Sequence, residues 1–458
     1  NVRVLLDETR LASETLGVSH TGEAFVIDPR IWSIVYRGPV DDRFTTSTPD
    51  AAARRQPVRD ALDTLIAGKP ITPTSYETGG VAIAYPPHVA ATYTGDIAPI
   101  LRTKCISCHT EGGIAPFAMD DYAGAKQHAP MMRSALRTQR MPPFYADRHI
   151  GAWKHDLSLT NDEIRTLVHW VEAGAPRGDG DDAMRAKTTS PEWPLGQPDI
   201  VLTLPVFDVP IEGVLLYRTV NIPNPLKTTK WLRALAILPG DRGAVHHVLA
   251  DYQSGIGEQQ IGSYARGATS KEWPDDAGVE LAPGGVFKVR TYYVPDGVAR
   301  KDVTRIGLYF RDKAPAFPAC SAVISARDLK IAPGKADQKV EATLTLAKPS
   351  VIFSVMPIAH DRGARAGLSA VYPDGREELL LSLPRFDFNW LRDYELAEPK
   401  ALPAGTKLVA HFVYDNSDRN QLNPDSKATV TAGDAPNGEA AEMRIGYRPA
   451  DASSGCAS

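Results

Sequence analysis

From residue 199 onward, short apolar runs of strand length recur between turn signals, and no long helical period interrupts them. The runs fall at 200–204, 215–222, 231–237, 245–252, 286–294 and 304–310, then at 351–356, 367–372, 379–383, 408–413 and 427–431. Pro-Asp-Gly at 295–297 and at 373–375, together with Pro-Gly pairs, separates them. Runs of this length bounded by such turns are strands. Strands with one apolar face must bury it against another sheet. The pattern therefore predicts an all-β region of two tandem antiparallel β-sandwiches, 199–334 and 335–458, divided near Lys335.

Upstream the period changes. Residues 93–104 predict a short helix with Ile97, Ile100 and Leu101 on one face. Thr160-Asn161-Asp162-Glu163 is a capping-box pattern. After it Ile164, Leu167, Val168 and Val171 keep helical spacing until Gly174 and Pro176 stop the helix. Between the two helices stands Cys105-Ile106-Ser107-Cys108-His109. C-x-x-C-H is the attachment signature of one covalent haem c. Two thiols add across the vinyl groups, and the next-door histidine ligates the iron. Zinc would ask for a second nearby Cys/His pair, and Cys320 and Cys456 are far away in sequence. The helices and the motif predict a small all-α class I cytochrome c at 93–178.

The sixth ligand is expected at Met141, in Arg140-Met141-Pro142-Pro143-Phe144, where two prolines fix the chain just after the thioether. A thioether opposite histidine raises the potential and suits electron transfer. Met131, Met132, His128, His149 and His155 are the competing ligands. Trp170 and Tyr145 are candidate walls of the haem pocket.

At 458 residues the chain is too long for one core, and a net charge of −4 gives no reason to expect nucleic acid. No run of about 18 apolar residues exists to form a transmembrane segment. The chain begins at Asn1, so a processed or missing beginning is expected. Haem c is attached outside the cytoplasmic membrane, so a signal sequence is expected to have preceded it, and the location to be periplasmic or otherwise extracytoplasmic. In such an oxidising compartment Cys320 and Cys456 are available to pair.

At the N-terminus, 2–6, 24–28 and 31–36 are strand-like, and 55–65 shows helical spacing (Val58, Leu62, Leu65) up to Gly68-Lys69-Pro70. The stretch from Leu5 through LGVSHTGEAFVIDPRIWSIVYRGPVDD resembles the C-terminal half of a thioredoxin or peroxiredoxin fold. The half that carries such a fold's redox cysteine has no counterpart here, and Gly22 stands where the family has a cis-proline. The resemblance implies a partial α/β thioredoxin-like segment, 1–75, serving as scaffold or interaction surface. Residues 71–92 and 175–197 are linkers. His20, His88 and His169 are isolated residues.

The second chemical constellation is Val245-His246-His247-Val248. Neighbours on a regular strand face opposite ways, so the pair can hold one metal only if a bulge turns both imidazoles together. The order AVHHVLADY, PGGVFKVRTYYVPDG, VMPIAHDRG, LVAHFVYDNS, AAEMRIG resembles bacterial relatives of the copper type II, ascorbate-dependent monooxygenases, over about 199–447. That family has two β-sandwiches, each with one copper. His246 and His247 match its His-His pair, but the third position is Tyr292. Of its H-x-H, only His360 remains in Ile358-Ala359-His360. Met443 matches its methionine, and His411 is a possible substitute ligand. Copper is usually held by three or more N/S ligands, so both sites are short of one imidazole.

Three outcomes follow from this resemblance: a degenerate module acting as a docking or structural body, a single copper at His246/His247, or a haem-fed monooxygenase. The chain is expected to meet redox partner proteins, within a larger complex. Asp415-Asn416-Ser417 with Asn423-Pro424-Asp425 is oxygen-rich enough for Ca²⁺, or a solvated turn. No dinucleotide, Walker or nucleophile-elbow motif is present.

Overall fold

The computed structural model describes residues 5–44, 55–72, 74–86, 90–111, 113–184, 192–213, 217–255, 257–433 and 438–456. Residues 2–4 of the first strand-like run, His88 and the first two residues of the run at 215 lie outside them. The chain divides into two compact units, one of residues 1–97, 129–139 and 159–180, the other of 98–128, 140–158 and 181–458. No helix among the described residues is long and apolar enough to cross a membrane.

The first unit holds a hairpin of strands Glu23–Asp28 and Ser33–Pro39. Helix Pro57–Ile66 packs on it through Ala61, Val58 and Leu65, against Val26 and Tyr36. Residues 31 and 32, expected to extend the second strand, instead form the turn, where Trp32 has φ 49°. Helix Asn161–Glu172 begins with a complete capping box. The Thr160 hydroxyl accepts from the Glu163 N–H at 3.1 Å, and the Thr160 N–H donates to Glu163 Oε2 at 2.7 Å. Leu167, Val168 and Trp170 form its buried stripe. His169 is buried as well, 3.1 Å from the Glu14 carboxylate.

The second unit is mostly β. One sheet runs Phe317–Pro318, Ala277–Leu281, Lys230–Leu238, Arg305–Phe310, Ile200–Thr203, with Ser270–Glu272 paired to Lys230–Leu238. A second runs Arg218–Pro223, Val286–Tyr293, Val245–Ser254, Gly257–Ala265. Leu235, Ile237, Val248, Tyr252, Phe287 and Val289 from both sheets share one core. A further pair of sheets closes over Leu368, Leu381, Leu408, Phe412 and Ile445. Its members are Cys320–Ser325, Glu442–Pro449, Ser350–Ile358, Tyr394–Leu402 and, facing them, Gln338–Thr345, Lys407–Tyr414, Gly363–Val371, Glu377–Leu383. Two pairs of sheets, each over its own core, is the arrangement of β-sandwich domains.

The division expected near Lys335 lies earlier. Strand Cys320–Ser325 pairs with Glu442–Pro449 and so belongs to the second sandwich from its first residue. Cys320 is also tied by a disulfide to Cys456, closing a 136-residue loop around that sandwich.

The expected self-contained cytochrome at 93–178 is also divided, because its middle is spent elsewhere. Phe144, Ala146 and Trp153 lie in the core of the second sandwich. The Asp147 N–H donates to Ser382 O, and the Lys154 N–H to Glu395 O, both at 2.8 Å. These apolar residues have no helical period to bury them locally, so they add to a sheet instead.

Candidate functional site

The C-x-x-C-H motif sits at the end of helix Ala98–Lys104. The Cys105 N–H donates to Leu101 O (2.9 Å) and the His109 N–H to Cys105 O (3.0 Å), so the motif continues as one more turn. Residues at i, i+3 and i+4 share a helical face, which puts Cys105, Cys108 and His109 on one side. His109 Nδ1 lies 3.1 Å from Phe117 O. A carbonyl at Nδ1 takes up that N–H and leaves Nε2 as the lone-pair nitrogen, the arrangement that metal-bound imidazoles use. Burial lowers the His109 pKa, with the Phe117 carbonyl opposing and His128 adding to the shift, so the ring favours the neutral, ligating form. Burial likewise raises the Cys108 thiol. These residues fit covalent haem attachment and one axial bond.

For the sixth position, His128 is the competing ligand that the structure brings near. Its ring stacks on Phe117 at 4.0 Å, and Phe117 also touches the His109 ring at 4.6 Å. Its Nδ1 is 2.9 Å from Gly124 O. Met141 is half-buried at a cis peptide with Pro142, just before Phe144 enters the second sandwich. Met131, His149 and His155 are exposed, and Met132 is half-buried. Trp170 spends its N–H on Pro176 O at 2.9 Å and packs on Tyr93, while Tyr145 is half-buried under the Arg385 guanidinium.

The His-His pair meets the condition set by its sequence. In the ladder between Val245–Ser254 and Val286–Tyr293, Tyr292 stands opposite His247 and Tyr293 opposite Val245. His246 is the extra residue of a β-bulge, and the bulge turns it to the side of His247. Their Nδ1 atoms lie 2.8 Å apart. Two cis ligands bound to one metal at about 2.0 Å are about 2.8–3.3 Å apart. The far nitrogens are held as well, with His246 Nε2 3.2 Å from Asn389 Oδ1 and His247 Nε2 2.5 Å from the Tyr217 hydroxyl.

Both rings are buried. Burial pushes the His246 pKa down to about 4 and that of His247 well below its ordinary value. They are therefore neutral at physiological pH, the form that metals bind. Tyr292 meets both imidazoles through its ring. Its ring stacks on His247 at 5.2 Å and 13°. The pair presents two neutral, oriented imidazoles whose Nδ1 atoms are within hydrogen-bond distance of one another.

The second set does not assemble in the same way. His360 lies past the end of strand Ser350–Ile358, its ring 5.2 Å from Phe388, which also packs on His246 at 5.0 Å. Its backbone N–H is held by the buried Glu439 carboxylate. Met443 faces Pro357 across the ladder and is fully buried in the apolar core. His411 Nδ1 lies 3.1 Å from Glu341 Oε1 and its Nε2 3.1 Å from Ser369 Oγ. Among the described residues, no three His, Cys, Asp or Glu side chains gather so as to hold a metal.

The oxygen-rich turn considered for Ca²⁺ already has a cation. The buried Arg362 donates through Nε to Asn416 Oδ1 at 3.0 Å, and Asn423 donates to the same oxygen. Sequence reasoning missed Tyr217, Phe388 and Asn389. They reach the pair from the residue before strand Arg218–Pro223 and from the 3₁₀ turn Phe388–Trp390, and no local spacing marks them.

No family profile matches the sequence, and no curated protein matches it. Solved structures with partial likeness include the STIV MCP (10% identity, 46% of this chain and 95% of that one, TM-score 0.23). The major capsid protein P2 from bacteriophage PM2 is another (12%, 55% and 97%, TM-score 0.25). A third is a putative alpha-L-fucosidase from Bacteroides ovatus (9%, 57% and 41%, TM-score 0.15). Likeness this weak carries no argument about function.

Proposed function

We propose that this chain is an exported electron-transfer protein carrying one haem c on Cys105 and Cys108, with His109 as axial ligand and Met141 as the sixth. Its copper monooxygenase-like β module serves chiefly as a docking and structural body for redox partner proteins. The observation that carries the reading is the helical turn that puts both thiols and His109 on one face, with Nδ1 tied to Phe117 O. When bound, the haem would supply one-electron chemistry. This chain's residues would anchor it, orient the axial imidazole and exclude water. The helices at 93–104 and 161–172 support a cytochrome-like segment, and the hairpin with helix Pro57–Ile66 supports a thioredoxin-like remnant. The disulfide supports an extracytoplasmic location.

An optical spectrum of the purified protein tests the reading. A reduced c-type α band with haem retained after acid-acetone extraction is expected, together with the near-infrared charge-transfer band of methionine-ligated ferric haem. Colourless protein with both thiols reactive overturns it. A c-type spectrum without the charge-transfer band removes only Met141, and His128 then takes its place.

A second reading is favoured by the bulge at His246. One copper would bind between His246 and His247, and the haem-fed monooxygenase is the extension of this reading. Copper titration followed by EPR tests it. One Cu(II) per chain is expected, and Tyr217→Phe should weaken binding about 10–100-fold, as loss of a group that orients a ligand does. No Cu(II) signal after loading overturns it.

A further inference from the structure

The clearest uncompensated charge in the second unit is Arg392. It is 8% exposed. Its guanidinium packs over the Phe144 ring, 5.4 Å from the centroid. It has no hydrogen-bond or ion-pair partner among the described residues. Asp393, next in sequence, is spent on Lys271. Asp156, which acts on Arg392 from a distance, is exposed, and its carboxylate accepts from the Ser158 N–H.

Two more unpaired donors lie in the same neighbourhood. The Tyr264 hydroxyl and the Arg266 Nε are both buried without a partner. Arg266 and Cys108 both act electrostatically on Tyr264, and Arg392 acts on Cys108. Arg242, the other cation near Cys108, is exposed. At Gly267 (φ 82°) a side chain would meet Cys108 Sγ at 3.3 Å and Arg392 Nη2 at 3.6 Å. The absent side chain at Gly267 lets the motif thiol and the guanidinium approach the same point of this loop.

A buried guanidinium with no counter-charge is costly, and a buried donor left unpaired adds to the cost. The forked donors of arginine match a carboxylate in two parallel hydrogen bonds. We propose that Arg392, with Arg266 and Tyr264, forms a carboxylate-binding site beside Cys108. The inference deepens the haem reading, since a porphyrin tethered at Cys108 carries two propionate carboxylates. A free small carboxylate offers the same chemistry.

The test compares holoprotein of wild type, Arg392→Gln and Arg392→Lys. Resonance Raman reads the propionate bending band, and thermal melting is followed during an acetate titration. If the porphyrin is the source, Arg392→Gln shifts the propionate band, Arg392→Lys restores part of it, and acetate changes nothing. If a free carboxylate is the source, acetate raises the wild-type melting temperature saturably, and Arg392→Gln abolishes the rise. An unchanged band together with no acetate response that depends on Arg392 overturns the proposal. Tyr264→Phe removes only an unpartnered hydroxyl. It should weaken either signal several-fold and serves if the arginine variant does not fold. A colourless protein would defeat the haem reading, while the acetate titration would still decide the role of Arg392.

Discussion

The turn at Cys105 and the bulge at His246 reach candidate metal chemistry by opposite routes. At the first, the chemical groups lie within five consecutive residues, and helix hydrogen bonds alone place them on one face. At the second, two adjacent imidazoles converge only because a neighbouring strand is one residue short opposite them. They are then locked by Tyr217, Asn389, Tyr292 and Phe388 from elsewhere in the chain. Local geometry survives the loss of distant contacts, and assembled geometry does not. That difference predicts which substitutions act on one site alone and which act on the whole β body.

The largest expected effect is at the local site. Cys105→Ser with Cys108→Ser should abolish covalent haem while leaving far-ultraviolet circular dichroism of the β body intact. If the double variant loses its β signal, the motif is structural to the sandwiches and the contrast fails.

Next is the disulfide. Cys320→Ser opens a 136-residue loop. The chain-entropy account puts the loss at about 4–5 kcal/mol. Urea melts of wild type and variant measure it. Because Cys320 opens the strand paired to Glu442–Pro449, the loss should be felt throughout the second sandwich. A melt changed by less than about 1 kcal/mol would mean that the denatured state was already compact.

These two predictions also separate what the sequence disclosed from what it concealed. Ten of the eleven strand-like runs from 200 onward are strands over most of their described length, whereas of 427–431 only Val430–Thr431 pairs. Among the strands outside those runs, Gly257–Ala265 and Gln338–Thr345 are polar, and the second shows alternating partial burial rather than an apolar run. The C-x-x-C-H motif and its flanking helices were readable because their contacts span only a few residues. The bulge was readable only as a condition, since a one-residue offset belongs to the partner strand. Arg392 gave no signal at all. An arginine after Leu391 has no pattern until its surroundings lack an anion.

The assembled site also has a pH signature. His246 is buried with a pKa of about 4, against about 6.5 when unfolded. Below pH 6.5 the unfolded chain takes up a proton that the folded chain refuses, so stability falls as pH drops from 6.5 towards 4 and is unaffected above. The full loss is about 3 kcal/mol. His247 shifts in the same direction. Glu395, raised by burial to about 7, works in the opposite sense across much of the same window, losing stability as pH rises. The total pH profile therefore mixes both signs, and the informative quantity is the difference between wild type and His246→Asn. That difference should grow in favour of the variant as pH falls from 7 to 5. Copper, if bound, should raise wild-type stability without removing this slope, because it keeps the folded imidazoles neutral while the unfolded chain still takes up its protons. A pH-independent difference would mean that the ring is reached by solvent and the bulge is loose.

The smallest effect returns to local structure. Thr160 and Glu163 cap helix Asn161–Glu172 reciprocally, each satisfying an N–H that the helix leaves without a partner. Thr160→Ala should cost about 1 kcal/mol, and Glu163→Gln should cost less because the amide oxygen still accepts from the Thr160 N–H. The cap shares no partner with Cys320, so the double variant should lose the sum of the single losses to within about 0.5 kcal/mol. A larger coupling would show that this helix and the second sandwich unfold as one cooperative body. The local part of the chain would then be independent in its sequence signal but not in its energetics.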